Sequence, residues 1–304
     1  MLPIRIERID WYGPEPAPTE PIACTVRVTK RGAQTVRGDL ELNHGGRLLA
    51  RVTGWEDWRF DTDERLWVLM REPHRVFYSD PAEPTSPAGP RVLDGGNWVK
   101  ATHDYLLRRY LGEAERVAFA TLTPGSRSIS WLLGRIAAKD AIRAALTAEG
   151  DRARYPAEVT VLADALGRPI VGGHDITGLR VSIAHTMGGN LGTAIALASR
   201  EPVGVDIEPI APRTEAFVAL TLSSEDLAHL PASLDADARA EWLTRFWCAK
   251  EAAGKASGKG LEGNPRALTI TAIDGERIQV KSQWVTTQRR GPHILAWTES
   301  STRA

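Results

Sequence analysis

The stretch PVGVDIEPI at 202–210, with FWCAKEAAGKASGKG downstream at 246–260, decides how this chain is read. Alternation along the first stretch sends Val203, Val205 and Ile207 to one face of a strand and Asp206 and Glu208 to the other. Pro209 then ends the strand. Two carboxylates about 7 Å apart on one face repel each other unless something positive sits between them. A hard divalent cation is the natural neutraliser, since Mg²⁺ takes oxygen ligands from one or two carboxylates plus substrate phosphates. In the second stretch, helical spacing puts Glu251 and Lys255 on one face with Trp247 a turn earlier. Phe246 and Ala253 lie toward the core, and Cys248 reads as a small core-facing residue, not a catalytic thiol. Taken singly, each feature has a plain reading. A solvent-exposed Glu–Lys pair is worth only a few tenths of a kcal/mol.

Together the two stretches resemble the signature of the 4′-phosphopantetheinyl transferases. That signature is a Val-Gly-Val-Asp-x-Glu strand followed at this distance by an aromatic-Cys/Ser-x-Lys-Glu-Ala-x-x-Lys helix. Further resemblances come in the family's order. GRPIV at 167–171 is similar to its Gly-Lys-Pro motif, with Arg168 in place of the lysine. VSIAHT at 181–186 is similar to its Phe-Asn-x-Ser-His-Ser motif and keeps His185. It departs by carrying Ser182, Ala184 and Thr186 where the motif has Asn, Ser and Ser, which removes one hydroxyl and leaves Thr186 to replace another. Arg127 stands just before a long helix, where family members carry a basic residue. The resemblance covers about 115–300, the size of the larger, two-lobed (Sfp-like) members.

The resemblance implies an α+β, pseudo-twofold, two-lobed fold. It also implies transfer of 4′-phosphopantetheine from coenzyme A to a serine of an acyl carrier protein, with release of adenosine 3′,5′-bisphosphate. Mg²⁺ would be held by Asp206, Glu208 and Glu251. Glu251, or a water on that ion, would accept the serine proton, and Lys255 would stabilise charge on the phosphate or the leaving group. Arg127, Arg168, His185 and Thr186 would contact coenzyme A. Outside the motif order, His185 reads as a satisfied strand-end histidine and the two arginines as solvent-facing. Arg135 and Lys139 read as the polar face of their helix. A rival from another class is a non-catalytic docking module for carrier proteins that keeps the fold; the missing hydroxyl at Ala184 favours it, and the full acidic set with Lys255 opposes it.

Composition agrees with a soluble, cytoplasmic protein. The chain has 304 residues, 38 Lys plus Arg against 38 Asp plus Glu, and therefore no net charge. No global field points to nucleic acid or an anionic membrane, so any anion site has to be local. Two cysteines in unrelated segments argue against a disulfide framework and fit a reducing compartment. No apolar run has the length of a signal peptide or a membrane span.

The organisation is expected as a β segment over 1–80, a linker over 81–98 and a transferase domain over 99–304. Residues 22–53 read as three strands, with Asn43-His44-Gly45-Gly46 as hairpin chemistry and His44 on the turn surface. PAEPTSPAGPRVLDGGNW at 81–98 reads as the linker from its prolines and glycines. Beyond it, 128–150 and 236–257 read as long helices. EVTVLAD, LRVSIAH, LGTAIALA and PVGVDIE read as strands, and ALTITAI and ERIQVKSQWV as a closing hairpin. Helix-then-strands thus occurs twice, with no residue-level repeat evident. The N-terminal strands and GWEDWRF resemble the closing part of the hot-dog, dehydratase-like region of polyketide synthases. That resemblance implies a partial, non-catalytic segment, and the acyl carrier domain of a polyketide synthase as partner.

Overall fold

The structure, a computed structural model, describes residues 2–32, 34–58, 64–96, 100–187 and 192–299. Contacts divide the chain into two units, Met1–Trp67 and Val68–Ala304.

The first unit is an antiparallel sheet of β1 (Leu2–Arg5), β2 (Arg8–Trp11), β3 (Ala23–Arg31), β4 (Thr35–His44) and β5 (Arg47–Trp58). The order is β1-β5-β4-β3, with β2 also pairing β5. The three strands expected over 22–53 are β3, β4 and β5, the last running five residues longer. The β4–β5 turn falls on Gly45 and Gly46 at φ 54° and 79°, the left-handed pair that a tight hairpin demands. His44 sits at the end of β4, with Nδ1 3.2 Å from Pro21 O and Nε2 3.3 Å from Glu20. Arg59 and Phe60 of the GWEDWRF stretch lie outside the described residues.

α1 (Glu64–Arg71) spans the division between the units. The second unit continues through β6 (Asp80–Pro81), β7 (Arg91–Asp94), α2 (Lys100–Tyr110), α3 (Glu113–Ala120) and α4 (Ser126–Ala148). β8 (Val159–Ala163), β9 (Pro169–Gly173), β10 (Arg180–Thr186) and β11 (Thr193–Ser199) follow. Then come β12 (Val205–Pro209), α5 (Glu215–Thr221), α6 (Ser224–Ala228) and α7 (Ala236–Ala256). β13 (Ile270–Asp274), β14 (Arg277–Val280), β15 (Gln283–Arg290) and β16 (His293–Thr298) close the chain. One sheet has the order β10-β11-β7-β6 and another β12-β16-β15-β14-β13, with β8–β9 as a separate hairpin. The two larger sheets share a core in which Val92, Ile195 and Leu197 meet Val205, Ile207, Leu295 and Trp297. α7 covers the outer face of the second sheet through Phe246, Ala249 and Ala252. Among the described residues, no helix is long and apolar enough to cross a membrane.

Two expectations need correction. Residues 81–98 do not form a plain linker: Arg91–Asp94 is β7, paired with β11 so that Val92 faces Ile195. Val92 and Leu93 are buried. A four-residue strand framed by prolines and glycines is too short to display a period, so composition hid it. Asn97 and Trp98 lie outside the described residues. The closing segment is also more than a hairpin, because Lys281 at φ 54° splits β14 from β15, and β16 follows.

A residue-level correspondence joins the two helix-then-strand passages. Lys139 of α4 binds Glu115, 24 residues earlier, and the Tyr110 carbonyl, 29 earlier. Lys250 of α7 binds Asp226, also 24 earlier, and the Thr221 carbonyl, also 29 earlier. Each carboxylate in turn accepts a backbone N–H, Glu115 from Val161 at 2.9 Å and Asp226 from Ile270 at 2.7 Å. Both lysines and both acids have no solvent exposure. Burial pushes the Lys139 ammonium down to about 8 against the pull of Glu115. These pairs pin each long helix to the small helix and the strand beside it.

Candidate active site

β12 carries the acidic pair into place. Val205 and Ile207 are in the shared core, so alternation turns Asp206 and Glu208 to the opposite face, toward α7. Gly204 makes this approach possible. A Cβ there would overlap the Ala252 carbonyl of α7, so any larger residue would push the strand off the helix. Gly204 N donates to Thr298 Oγ1 at 3.0 Å and Val205 N to Ser182 Oγ at 3.1 Å, fixing β12 between β16 and β10.

From α7, Lys255 Nζ donates to Asp206 Oδ1 at 2.7 Å and to the Val205 carbonyl at 3.0 Å. Asp206 Oδ2 is buried and has no hydrogen-bond partner. Glu208 is held by Trp247 Nε1 at 3.4 Å and lies 3.5 Å from Arg213. Arg213 also lies over the Phe217 ring, which packs edge-on against Trp247. Glu251 is half-buried one turn before Lys255. Its carboxyl is pushed above the ordinary value, first by burial and then by the charge of Asp206. Lys255 opposes that rise, and Glu208 adds to it.

These are the marks of a site short of positive charge. A buried carboxylate oxygen without a partner and an acid held toward its neutral form both call for a further cation. The donor set is all oxygen, which suits a hard ion such as Mg²⁺. Among the described residues, no three His, Cys, Asp or Glu side chains stand close enough to hold a metal as they are. An ion here would therefore need phosphate oxygens of the ligand to complete its shell, not a closed protein cage.

Opposite β12, His185 lies at the end of β10, paired with Ala194 of β11. Its imidazole is pushed below the ordinary value, first by the protein packed against it, then by Lys255 and Arg135. Elements far apart in sequence thus set one electrostatic environment. Thr186 is next along β10, paired with Thr193. The other two expected contacts are not brought here by any contact among the described residues. Arg168 is exposed and holds Asp164 at 2.7 Å across the β8–β9 turn. Arg127 is exposed in the first turn of α4, where its carbonyl accepts from Ser130 Oγ.

Sequence reasoning missed Arg213 and misjudged Arg135. Arg135 is not on a polar face: it is only 9% exposed, and its Nε has no partner. Lys139 is likewise internal. Cys248 is buried as expected, its thiol pushed up by burial and the Asp206 charge. A cavity of about 840 Å³ at the ends of β11 and β16 is lined by Glu83, Glu149, Glu201, Asp274, Glu276 and Glu299 among others. It includes none of the candidate residues, and its acidic lining is wrong for a phosphate.

Residues 202–301 match the family model of the 4′-phosphopantetheinyl transferase superfamily. Among solved structures, the chain is similar to a holo-(acyl-carrier-protein) synthase from Bacillus anthracis str. Ames in complex with CoA (3′,5′-ADP). The identity is 25%, over 36% of this chain and 89% of that one, with a TM-score of 0.28. No curated protein matches the chain.

Proposed function

Starting from the superfamily match over 202–301, we propose that the chain transfers 4′-phosphopantetheine from coenzyme A to a serine of an acyl carrier protein or domain. The observation that carries this reading is one of place. The matched segment holds Asp206, Glu208, Glu251 and Lys255; Lys255 donates to Asp206, whose other carboxylate oxygen is buried without a hydrogen-bond partner, and the charges of Asp206 and Glu208 reach Glu251.

The residues divide the work. Asp206 and Glu208, with Glu251, would hold Mg²⁺, which when bound neutralises the diphosphate of coenzyme A and the charge that builds on it. Glu251, one turn before Lys255 on α7, accepts the proton of the carrier serine. The serine oxygen forms a bond to the phosphorus on the pantetheine side. The bond from that phosphorus to the bridging oxygen breaks, and adenosine 3′,5′-bisphosphate leaves with the electron pair. Lys255, already aimed at this space, stabilises charge on the phosphate or the leaving group. His185 and Thr186 bind coenzyme A from β10, and Arg168 and Arg127 reach it by turning away from their present positions. Positioning and electrostatics carry such transfers, so no nucleophile is required of this chain.

The wider assignments belong to the same proposal. Val68–Ala304 is read as a pseudo-twofold, two-lobed transferase of the larger type, supported by the matched lysine networks of α4 and α7. The N-terminal sheet is read as a partial hot-dog segment, supported by its strand pattern, and the carrier as a domain of a polyketide synthase in the cytoplasm. Chromatographic detection of adenosine 3′,5′-bisphosphate tests the reading. It should accumulate only when coenzyme A, Mg²⁺ and an apo carrier domain are all present; release independent of the carrier would contradict the assignment.

A further inference from the structure

Each of the two strand carboxylates already faces a protein cation. Lys255 of α7 serves Asp206, and Arg213 meets Glu208, its Nη2 3.5 Å from Oε2. Arg213 returns to β12 along a short, fixed path. Pro209 and Pro212 stiffen the segment between β12 and α5. Ile210 N donates to the Pro292 carbonyl at 2.8 Å, which ties that segment to the start of β16. Thr214, next to Arg213, caps α5 by accepting the Phe217 N–H at 3.2 Å. The cap places the Phe217 ring 5.0 Å from the Arg213 guanidinium, and that ring packs edge-on against Trp247 at 5.2 Å. Trp247 Nε1 lies 3.4 Å from the other oxygen of Glu208, so four side chains close a ring around one carboxylate.

At 3.5 Å the contact is long for a hydrogen bond, so the ring stack and the chain path hold the guanidinium more than Glu208 does. Its side chain is 16% exposed, and its Nε is buried without a partner. Its charge is felt as far in as the Cys248 thiol, beside those of Asp206 and Glu208. A cation fixed at this place cannot ligate a metal and repels one. Three carboxylates, Asp206, Glu208 and Glu251, face two cations, Lys255 and Arg213, which leaves at most one negative charge uncompensated. A bare divalent ion overcharges such a site. An ion that shares the site with a diphosphate does not.

We propose that Arg213 makes metal binding at Asp206 and Glu208 conditional on coenzyme A: it lowers the affinity for bare Mg²⁺, and the diphosphate offsets that loss. This rests on the transferase reading and deepens it by naming a residue that couples the two ligands. Arg213 acts through Glu208 and is a positioning residue, not a catalytic one. Because coupling is reciprocal, the same residue makes coenzyme A affinity depend on the metal.

The test titrates Mn²⁺, an oxygen-preferring octahedral stand-in for Mg²⁺, into full-length wild type, Arg213→Gln and Arg213→Lys. Each calorimetric titration is run with and without saturating coenzyme A, beside the unfolding temperature without ligand. Wild type should bind Mn²⁺ about tenfold or more tightly when coenzyme A is present. Arg213→Gln should bind bare Mn²⁺ about tenfold more tightly than wild type does, with a smaller further gain from coenzyme A. Arg213→Lys, which keeps the charge on a flexible stem, should fall between them. Arg213→Gln that keeps the wild-type ratio, or binds bare Mn²⁺ no more tightly than wild type, overturns the proposal; weaker binding would make Arg213 a brace for Glu208. If Arg213→Gln does not fold, a wild-type Mn²⁺ affinity that coenzyme A leaves unchanged overturns it equally. In that case a reduced ratio in Arg213→Lys, at the wild-type unfolding temperature, supports it. A wild-type chain that binds no coenzyme A in the presence of Mn²⁺ removes the transferase reading and this proposal together. Coenzyme A binding with a ratio that Arg213→Gln leaves intact removes this proposal alone.

Discussion

Lys255 Nζ sits 2.7 Å from Asp206 Oδ1 while Oδ2 of the same carboxylate faces no partner. The two members of this pair differ in exposure: the Lys255 side chain is 31% exposed and that of Asp206 8%. Removing one is therefore unlike removing the other. Asp206→Ala frees a lysine that can turn to water, and should change stability by no more than about 1 kcal/mol. Lys255→Met leaves a buried carboxylate with both oxygens unsatisfied, and should cost about 1–3 kcal/mol. Urea unfolding of the two variants checks the asymmetry. Equal losses would contradict it.

Glu251 gives a pH test whose sign is fixed. Its carboxyl is raised above 4.5 in the folded chain, first by burial and then by Asp206. Its neutral form therefore favours folding at pH values below the unfolded pKa. That contribution is lost as pH rises through the folded value. Glu251→Gln, which cannot ionise, should be more stable than wild type at pH 7 without metal, and the difference should vanish toward pH 4. Transfer should fall by about a hundredfold or more, as for loss of a general base. A stability difference that is flat across this range would count against the strained carboxylate.

The buried lysine networks predict large and matching effects. Lys139→Met strands Glu115 and Lys250→Met strands Asp226, each with no exposure. Breaking a buried pair by removing one partner costs about 3–5 kcal/mol. Both variants should lose that much in denaturant unfolding, and a loss below about 1 kcal/mol in either would contradict the role given to its network.

What the sequence disclosed followed physical periodicity. Alternation placed Asp206 and Glu208 opposite Val205 and Ile207, and helical spacing put Glu251 beside Lys255, as the structure has them. Arg135 was misread because charge alone suggested solvent, whereas α4 is buried nearly all round. The repeat escaped notice because its two copies share few side chains. Its signal is the common pattern of Trp-Leu followed by Lys-acid-Ala at 131–141 and 242–252. Arg213 carries no local signal, since only the fold brings it back to Glu208.

The place of β7 changes what truncation should do. A chain beginning at Asn97 loses Val92 and Leu93, which are buried, and the strand that pairs with β11. It should aggregate or unfold without cooperativity. A chain beginning at Glu64 keeps α1 and all strands of the two larger sheets, and should fold by circular dichroism with a cooperative melt. A soluble, cooperatively folded Asn97-start chain would show that β7 is dispensable.

Intact-mass spectrometry of an apo carrier domain, incubated with this protein, coenzyme A and Mg²⁺, tests the central claim most directly. The account predicts that the carrier gains the mass of one phosphopantetheine at its serine with the wild-type chain. With Asp206→Ala, folded as wild type by circular dichroism, it predicts no gain. A carrier mass unchanged by the wild-type chain across a panel of polyketide carrier domains, or modified equally by Asp206→Ala, would contradict it.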